Sequence, residues 1–399
     1  MRTAPLAAVA VACAVIGGAL TLGVGHLTGW TDSSSTTTVF RAAPIEPSTA
    51  ATAAVGPAAK PLAGNGFSPS MIYARRSPGV VTIIAIYGSD PDSPRRAQGS
   101  GFVVSPQGYI LTNSHVITTA GDTSVPQPAD RVFVEFQDRD RAEATIIGWD
   151  VFDDVGLIKV DPPAHALAPV PLGNSAAVVV GEPVAAIGSP FGNENSLAVG
   201  VVSAVHRSIE SLTSTFNLVD AIQTDAPINH GNSGGPLFDA RGRVIGINAQ
   251  IRSTSGQAEG VGFAVAVNSA KRSMQQLIAN GSVSYAFVGV ETTDLTPALA
   301  RRFHYAVQRG AVVTDVVAGS PAARAGLHPG RQTASALGLD FPRSGDVIVA
   351  IDGHEVTGSE DIARIVTRMN PGQVVPFVIE RGHSRFELPV RLSERSEAK

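Results

Sequence analysis

The stretch Gly231-Asn232-Ser233-Gly234-Gly235-Pro236 constrains this chain more than any other. Glycine adopts dihedrals that other residues avoid, so the backbone here can turn sharply and let amides converge on one point. The N–H groups of Gly231 and Ser233 could then face one small volume beside the Ser233 hydroxyl. Acyl transfer requires that arrangement, a nucleophile with donors aimed where negative charge develops. An ordinary turn would also be rich in Gly and Ser. The partners of Ser233 decide between the two readings.

A serine hydroxyl is a poor nucleophile until a base takes its proton. Of nine histidines, His115 stands out. It follows the short apolar run in Gly108-Tyr109-Ile110-Leu111-Thr112-Asn113-Ser114-His115-Val116, where a strand gives way to a loop or short helix. An acid is needed to hold the imidazole in the right tautomer. Asp154 precedes Val155-Gly156-Leu157-Ile158-Lys159-Val160, with Asp153 as its immediate competitor. The chain order is His115, Asp154, Ser233, the order of chymotrypsin rather than of subtilisin or the α/β-hydrolases.

With Gln223 to Leu237 around the serine, Thr112-Asn113-Ser114-His115-Val116, the Asp154 segment and Gly260-Val261-Gly262-Phe263-Ala264-Val265, the chain resembles the HtrA (Deg) family of trypsin-like serine proteases. The resemblance covers about residues 70 to 395. It implies a mainly β protein: a chymotrypsin-like double β-barrel with the triad in the cleft, followed by a PDZ domain. The implied activity is that of a serine endopeptidase acting on unfolded or specific extracytoplasmic proteins. The family places the acid immediately before the Val-Gly-Leu strand, which selects Asp154 and leaves Asp153 as an expected surface carboxylate. It gives no catalytic role to the place of His230, and His206 is expected to end a strand. Trypsin-type enzymes that select Lys or Arg carry an acid about six residues before the serine, where this chain has Pro227. By similarity, Ile228 and Ile251 would line an apolar substrate pocket, and Asn248 to Arg252 would pair with extended substrate. A non-enzymatic alternative is a PDZ-bearing holdase or adaptor with a latent protease site.

The 399 residues suffice for two domains and a tail. The net charge of −4 gives no nucleic-acid footprint. The single cysteine, Cys13, allows no intrachain disulfide. Neither paired His/Cys ligand spacing nor a phosphate-binding glycine loop is present, so no metal and no cofactor are expected. The apolar run Leu6 to Gly25 is long enough for a bilayer, which takes about 20 residues. It reads as a retained single-pass anchor in residues 1–30, with a cleaved signal peptide as the alternative. Residues 31–68, rich in Ser, Thr, Ala and Pro, read as a disordered spacer. The protease domain is expected over 69–282 as many short strands closed by a helix from Asn268 to Ala279. The short charged segment Gly88 to Gln98 argues against large cages and allows a homotrimer.

Residues 283–395 look like a PDZ domain. Tyr285-Ala286-Phe287-Val288-Gly289-Val290 resembles the loop and strand whose amides capture the C-terminus of a peptide partner. Ser320 is expected to cap a helix that Gly326 ends, and Asp361 to Met369 to form the groove helix. Arg331 to Ser344 is an insert relative to the family and is expected to be a tolerated surface loop rather than a regulatory element.

Overall fold

The computed structural model describes residues 66–88, 95–123, 125–162, 166–189, 195–229, 231–249, 261–331, 333–336 and 339–395. The apolar N-terminal run, the spacer up to residue 65, His230 and Ile251 lie outside the described residues. Among the described residues, no helix is long and apolar enough to cross a membrane.

A helix, α1 (Pro69–Arg76), leads into the first barrel, which contains β1 (Val80–Tyr87), β2 (Arg95–Val103), β3 (Tyr109–Thr112), β4 (Arg131–Glu135), β5 (Arg141–Asp150) and β6 (Val155–Val160). Its order is β1-β2-β3-β6-β5-β4, and it closes where β1 pairs antiparallel with β4. β-Branched residues favour the half-buried pleated surface. Val81, Ile83, Ile110, Val134 and Ile158 accordingly fill the interior, fully buried. The one-turn helix α2 (Ser114–Ile117) follows β3 directly.

The second barrel contains β7 (Pro183–Gly188), β8 (Ser196–Ile209), β9 (Leu218–Thr224), β10 (Pro236–Phe238), β11 (Val244–Ala249) and β12 (Gly262–Ala266). The order β10-β11-β12-β9-β8-β7 closes where β10 pairs with β7. Its inner side chains include Val184, Val202, Ile222, Leu237 and Ala264. β8 does not end at His206, as the sequence led us to expect. His206 (φ 56°) and Asp220 (φ 65°) sit in left-handed conformations within the paired β8–β9 segment. Register shifts flank Arg207, so the extra residue is absorbed as a bulge and the pairing continues to Ile209. The helix α3 (Val267–Asn280) then packs Val267, Ala270 and Leu277 into the apolar cluster shared by both barrels. Gly281, at φ 72°, ends it with an N–H bond to the Leu277 carbonyl.

The C-terminal domain runs β13 (Ala286–Phe287), β14 (Val290–Leu295), α4 (Pro297–Phe303), β15 (Gly310–Val316), α5 (Pro321–Ala325), β16 (Thr333–Ala336), β17 (Leu339–Pro342), β18 (Val347–Ile351), β19 (His354–Glu355), α6 (Ser359–Val366), β20 (Val374–Arg381), β21 (Ser384–Arg391) and β22 (Ser393–Glu394). The main sheet has the order β14-β15-β18-β20-β21, so β14 is an edge. Ser320 accepts the Ala323 N–H at the start of α5, and Gly326 ends that helix at φ 84°. The insert is a β16–β17 hairpin rather than a loose loop. Its Phe341 is buried with Leu295, Leu299, Val312 and Val347, stacked on Phe303 at 5.5 Å between centroids. A buried aromatic makes this hairpin part of the domain's core, which corrects the surface-loop expectation.

Candidate active site

His115 is the second residue of α2, and Asp154 is the last residue of the turn between β5 and β6. Because β3 pairs with β6, the two elements bring these residues together from 39 positions apart. His115 Nδ1 lies 2.8 Å from Asp154 Oδ2. The other carboxylate oxygen accepts the Ser114 hydroxyl at 2.7 Å and the His115 backbone N–H at 3.2 Å. Asn113 Nδ2 donates to the Asp154 carbonyl at 2.8 Å. The acid is thus held from every side by the Asn-Ser-His segment, at a left-handed φ of 50°. Its side chain is 5% exposed, against 19% for His115. Burial disfavours the charged imidazole, but the pairing with Asp154 outweighs it, and the His115 pKa is raised above 6.5.

Ser233 follows in the turn before β10, where Gly231 (φ 98°) and Gly234 (φ 86°) supply backbone that an L side chain rarely adopts. Gly234 also lies close against the first barrel. A Cβ there would lie 2.1 Å from the Ser100 carbonyl oxygen and 2.4 Å from Thr112 Oγ1. The serine turn therefore packs directly on the β3–α2 corner that carries His115. Ser100, at the inner end of β2, holds the turn in place. Its N–H donates to the Ser233 carbonyl at 2.8 Å and its hydroxyl to the Gly231 carbonyl at 2.5 Å. With both carbonyls tied back, the turn's shape is fixed from outside. The Ser233 hydroxyl is buried and bonds to no described residue, His115 included. Sequence reading assigned no role to Ser100, Asn113 or Ser114. Ile228 is buried in the second barrel with Ala226 and Ile222, and a Cβ on Gly262 would meet it at 2.6 Å.

A trypsin-like peptidase domain model matches residues 99–247, and a PDZ domain model matches residues 286–392. The solved structure of the HtrA-type protease AlgW with a tripeptide is 34% identical, with a TM-score of 0.67, over 82% of this chain and 98% of that one. The chain belongs to the HtrA-type serine protease family. The probable periplasmic serine endoprotease DegP-like of Hahella chejuensis is 41% identical over 75% of this chain and 58% of its own length. The chloroplastic Protease Do-like 1 of Arabidopsis thaliana is 35% identical over 75% of this chain and 64% of its own. The chain thus spans about three-fifths of the length of the curated relatives it matches.

In this HtrA-type chain the PDZ loop is anchored through its carbonyls. The Val288 carbonyl accepts the Ala322 N–H at 2.9 Å, and the Gly289 carbonyl accepts the Val317 N–H and the Ser320 hydroxyl. Ala286 and Phe287 pair with Glu394 and Ser393 in β22. Tyr285, expected in the carboxylate loop, is committed elsewhere. Its side chain is 1% exposed, and its hydroxyl lies 2.5 Å from Asp150 Oδ2 and 2.7 Å from Asp153 Oδ2. The same contact corrects the reading of Asp153 as a surface carboxylate. Asp153 is buried, because Tyr285 covers it and Arg272 of α3 pairs with it at 3.1 Å. A second contact between the domains joins Arg368, just past α6, to Asp220 at 2.7 Å.

Proposed function

We propose that the protein is an extracytoplasmic serine endopeptidase, with Ser233, His115 and Asp154 as its catalytic residues. The observation that carries this reading is the His115–Asp154 pair on the corner of β3 and α2, against which the glycine-bracketed turn of Ser233 packs. Ser233 Oγ attacks the scissile carbonyl while His115 takes its proton and later delivers it to the leaving amine. Asp154 fixes the tautomer and stabilises the imidazolium. The N–H groups of Gly231 and Ser233 receive the oxyanion, an interaction worth about 3 kcal/mol per donor. Ile228 and Ile251 form an apolar pocket that favours small or medium aliphatic side chains, and the residues after Ala249 take substrate in extended form. Asn248 itself, expected to pair with substrate, does not: its N–H and carbonyl bond to Gly235 and Gly234 on one side, and it faces Ala264 of β12 on the other. Substrates are therefore locally unfolded proteins or one exposed regulatory target. The loop Ala286 to Gly289 and the groove between β14 and α6 receive peptide C-termini. Residues 1–30 hold the chain at the membrane as a single-pass segment, and the working form is a homotrimer.

A latent enzyme that acts as an adaptor until its site is switched on is the second reading. It is favoured by the absence of a described hydrogen bond to Ser233 Oγ. Cleavage of unfolded casein by the full chain, with Ser233→Ala as control, separates the two. Cleavage by the wild type alone supports the protease. Cleavage by neither, restored by peptides with free apolar C-termini, supports latency.

A further inference from the structure

The turn that presents Asp154 is built as a domain junction. Asp150 shapes it: Oδ1 accepts the N–H groups of Phe152 at 3.0 Å and Asp153 at 3.3 Å. The outer face of the turn is then clamped from two sides. From α3, Ser273 donates its hydroxyl to Asp150 Oδ2 at 2.6 Å, and Arg272 pairs with Asp153. From the PDZ domain comes Tyr285, whose single proton faces a carboxylate oxygen on each of Asp150 and Asp153. The Tyr285 ring meets Phe152 edge-on at 5.2 Å. Arg395, near the chain's end, lies over the rings of Phe152, Phe216 and Tyr285, and its N–H donates to the Tyr285 carbonyl at 2.7 Å. The first and last residues of the PDZ domain thus close on the four residues that precede the acid.

We infer that Tyr285 is a positioning residue for the catalytic acid, so that the PDZ domain supplies part of the scaffold on which Asp154 meets His115. A hydroxyl can donate to only one oxygen at a time. Its one proton therefore serves the two carboxylates in turn, so a single hydroxyl from the PDZ domain ties both Asp150 and Asp153 of the turn. Burial, and then the neighbouring Asp153, push the Asp150 carboxyl up to about 6. Arg272 and Arg395 are the cations facing this pair. The donors Tyr285, Ser273 and Arg272, bonded to the Asp150 and Asp153 carboxylates, hold the turn from outside, as Ser114 and Asn113 hold Asp154 from inside. A turn left free to rotate by a few tenths of an ångström would loosen the His115 contact without touching the substrate site. Residues Ala286 to Gly289 follow Tyr285 directly, so an occupant of that loop acts on the same stretch of backbone.

This inference rests on the protease reading above, and the test separates the two. The full chain, Tyr285→Phe and Asp153→Asn are compared for casein cleavage and for labelling of Ser233 by an active-site phosphonate. Both variants keep volume and ring packing, and their thermal transitions report whether they fold. The expected result is a fall of about tenfold in kcat with KM within twofold, and an equal fall in labelling rate, in folded protein. Wild type that labels, with both folded variants within twofold of it, overturns the positioning role alone. A loss confined to KM also overturns it. Wild type that neither labels nor cleaves, with peptide present, overturns the protease reading and this inference with it.

Discussion

Ser100 and Gly231 are 131 residues apart in the chain, yet the Ser100 hydroxyl donates to the Gly231 carbonyl at 2.5 Å. The same hydroxyl accepts the Ser189 N–H at 2.9 Å. Ser100→Ala therefore unties the turn that carries the two proposed oxyanion donors and leaves a buried N–H without its acceptor. One lost donor costs about 100-fold or more in rate, so a misaimed one should lower kcat by about 10- to 100-fold. Stability should fall by about 1–3 kcal/mol. Steady-state cleavage and a urea unfolding curve check both numbers. An unchanged kcat would show that the turn keeps its shape without Ser100.

The His115–Asp154 pair predicts a pH profile. His115 has its pKa raised in the folded chain, so its charged form contributes stability below the unfolded value of 6.5. That contribution is lost as pH rises through the folded pKa. As the base must be neutral to act, the acid limb of kcat/KM should lie above pH 6.5. Asp154→Asn removes the partner and leaves burial dominant, so the imidazole should titrate lower. The variant should lose about 10⁴-fold in kcat, as expected when the wrong tautomer is held. Its stability deficit should be larger at pH 5 than at pH 8. An acid limb in the wild type at or below pH 6.5 contradicts this account.

Asp150 gives a prediction of the same kind with a different origin. Burial first, then Asp153, move its carboxyl from 3.8 to about 6. A raised acid is most favourable to the fold below its unfolded pKa, and that advantage disappears as pH rises through the folded value. At pH 8 Asp150 is ionised against its environment. Asp150→Asn keeps the shape of the turn and cannot ionise. It should be more stable than wild type at pH 8 by up to about 3 kcal/mol, the equivalent of roughly two pH units. Between pH 6 and pH 4 the difference should shrink toward zero. Thermal melts across that range measure it, and a variant less stable than wild type at pH 8 would contradict the raised Asp150 carboxyl.

What could be read from the sequence follows from where each constraint lies. The His115–Asp154 pair and the serine turn of the candidate site were legible because the chemistry expected there dictates residue types within short strings, Asn-Ser-His and Gly-Asn-Ser-Gly-Gly. The barrels were legible through runs such as Val80 to Tyr87, whose branched residues announce a buried strand. Asp153 was misread because Asp150-Val-Phe-Asp-Asp has the composition of a solvated turn. Its covering partner, Tyr285, is 132 residues away. Ser100 escaped notice for the same reason, since a serine between two glycines carries no local sign of the carbonyls it will hold. His206 was placed at a strand end because a bulge leaves no pattern in a single strand.

The insert illustrates how one residue can reverse a reading. Arg331 to Ser344 is polar and rich in turn formers, which describes a loop, but Phe341 points inward and is 1% exposed. It stacks on Phe303 and meets the Tyr305 ring edge-on at 6.1 Å. The Tyr305 hydroxyl lies 3.0 Å from the Pro342 carbonyl and 3.1 Å from that of Ser344, donates to one or the other, and so holds the hairpin down. Removing a buried phenyl ring costs the transfer energy of the side chain and that of the cavity it leaves, about 3–5 kcal/mol in sum. Phe341→Ala should therefore destabilise the C-terminal domain by that amount, seen as an earlier calorimetric transition. Peptide binding at the β14–α6 groove should weaken only as the domain unfolds, because Phe341 packs with Leu295 and Leu299 and not with α6. If the calorimetric profile does not move, the hairpin is a surface loop after all, and Leu295, Leu299 and Val347 close the core without it.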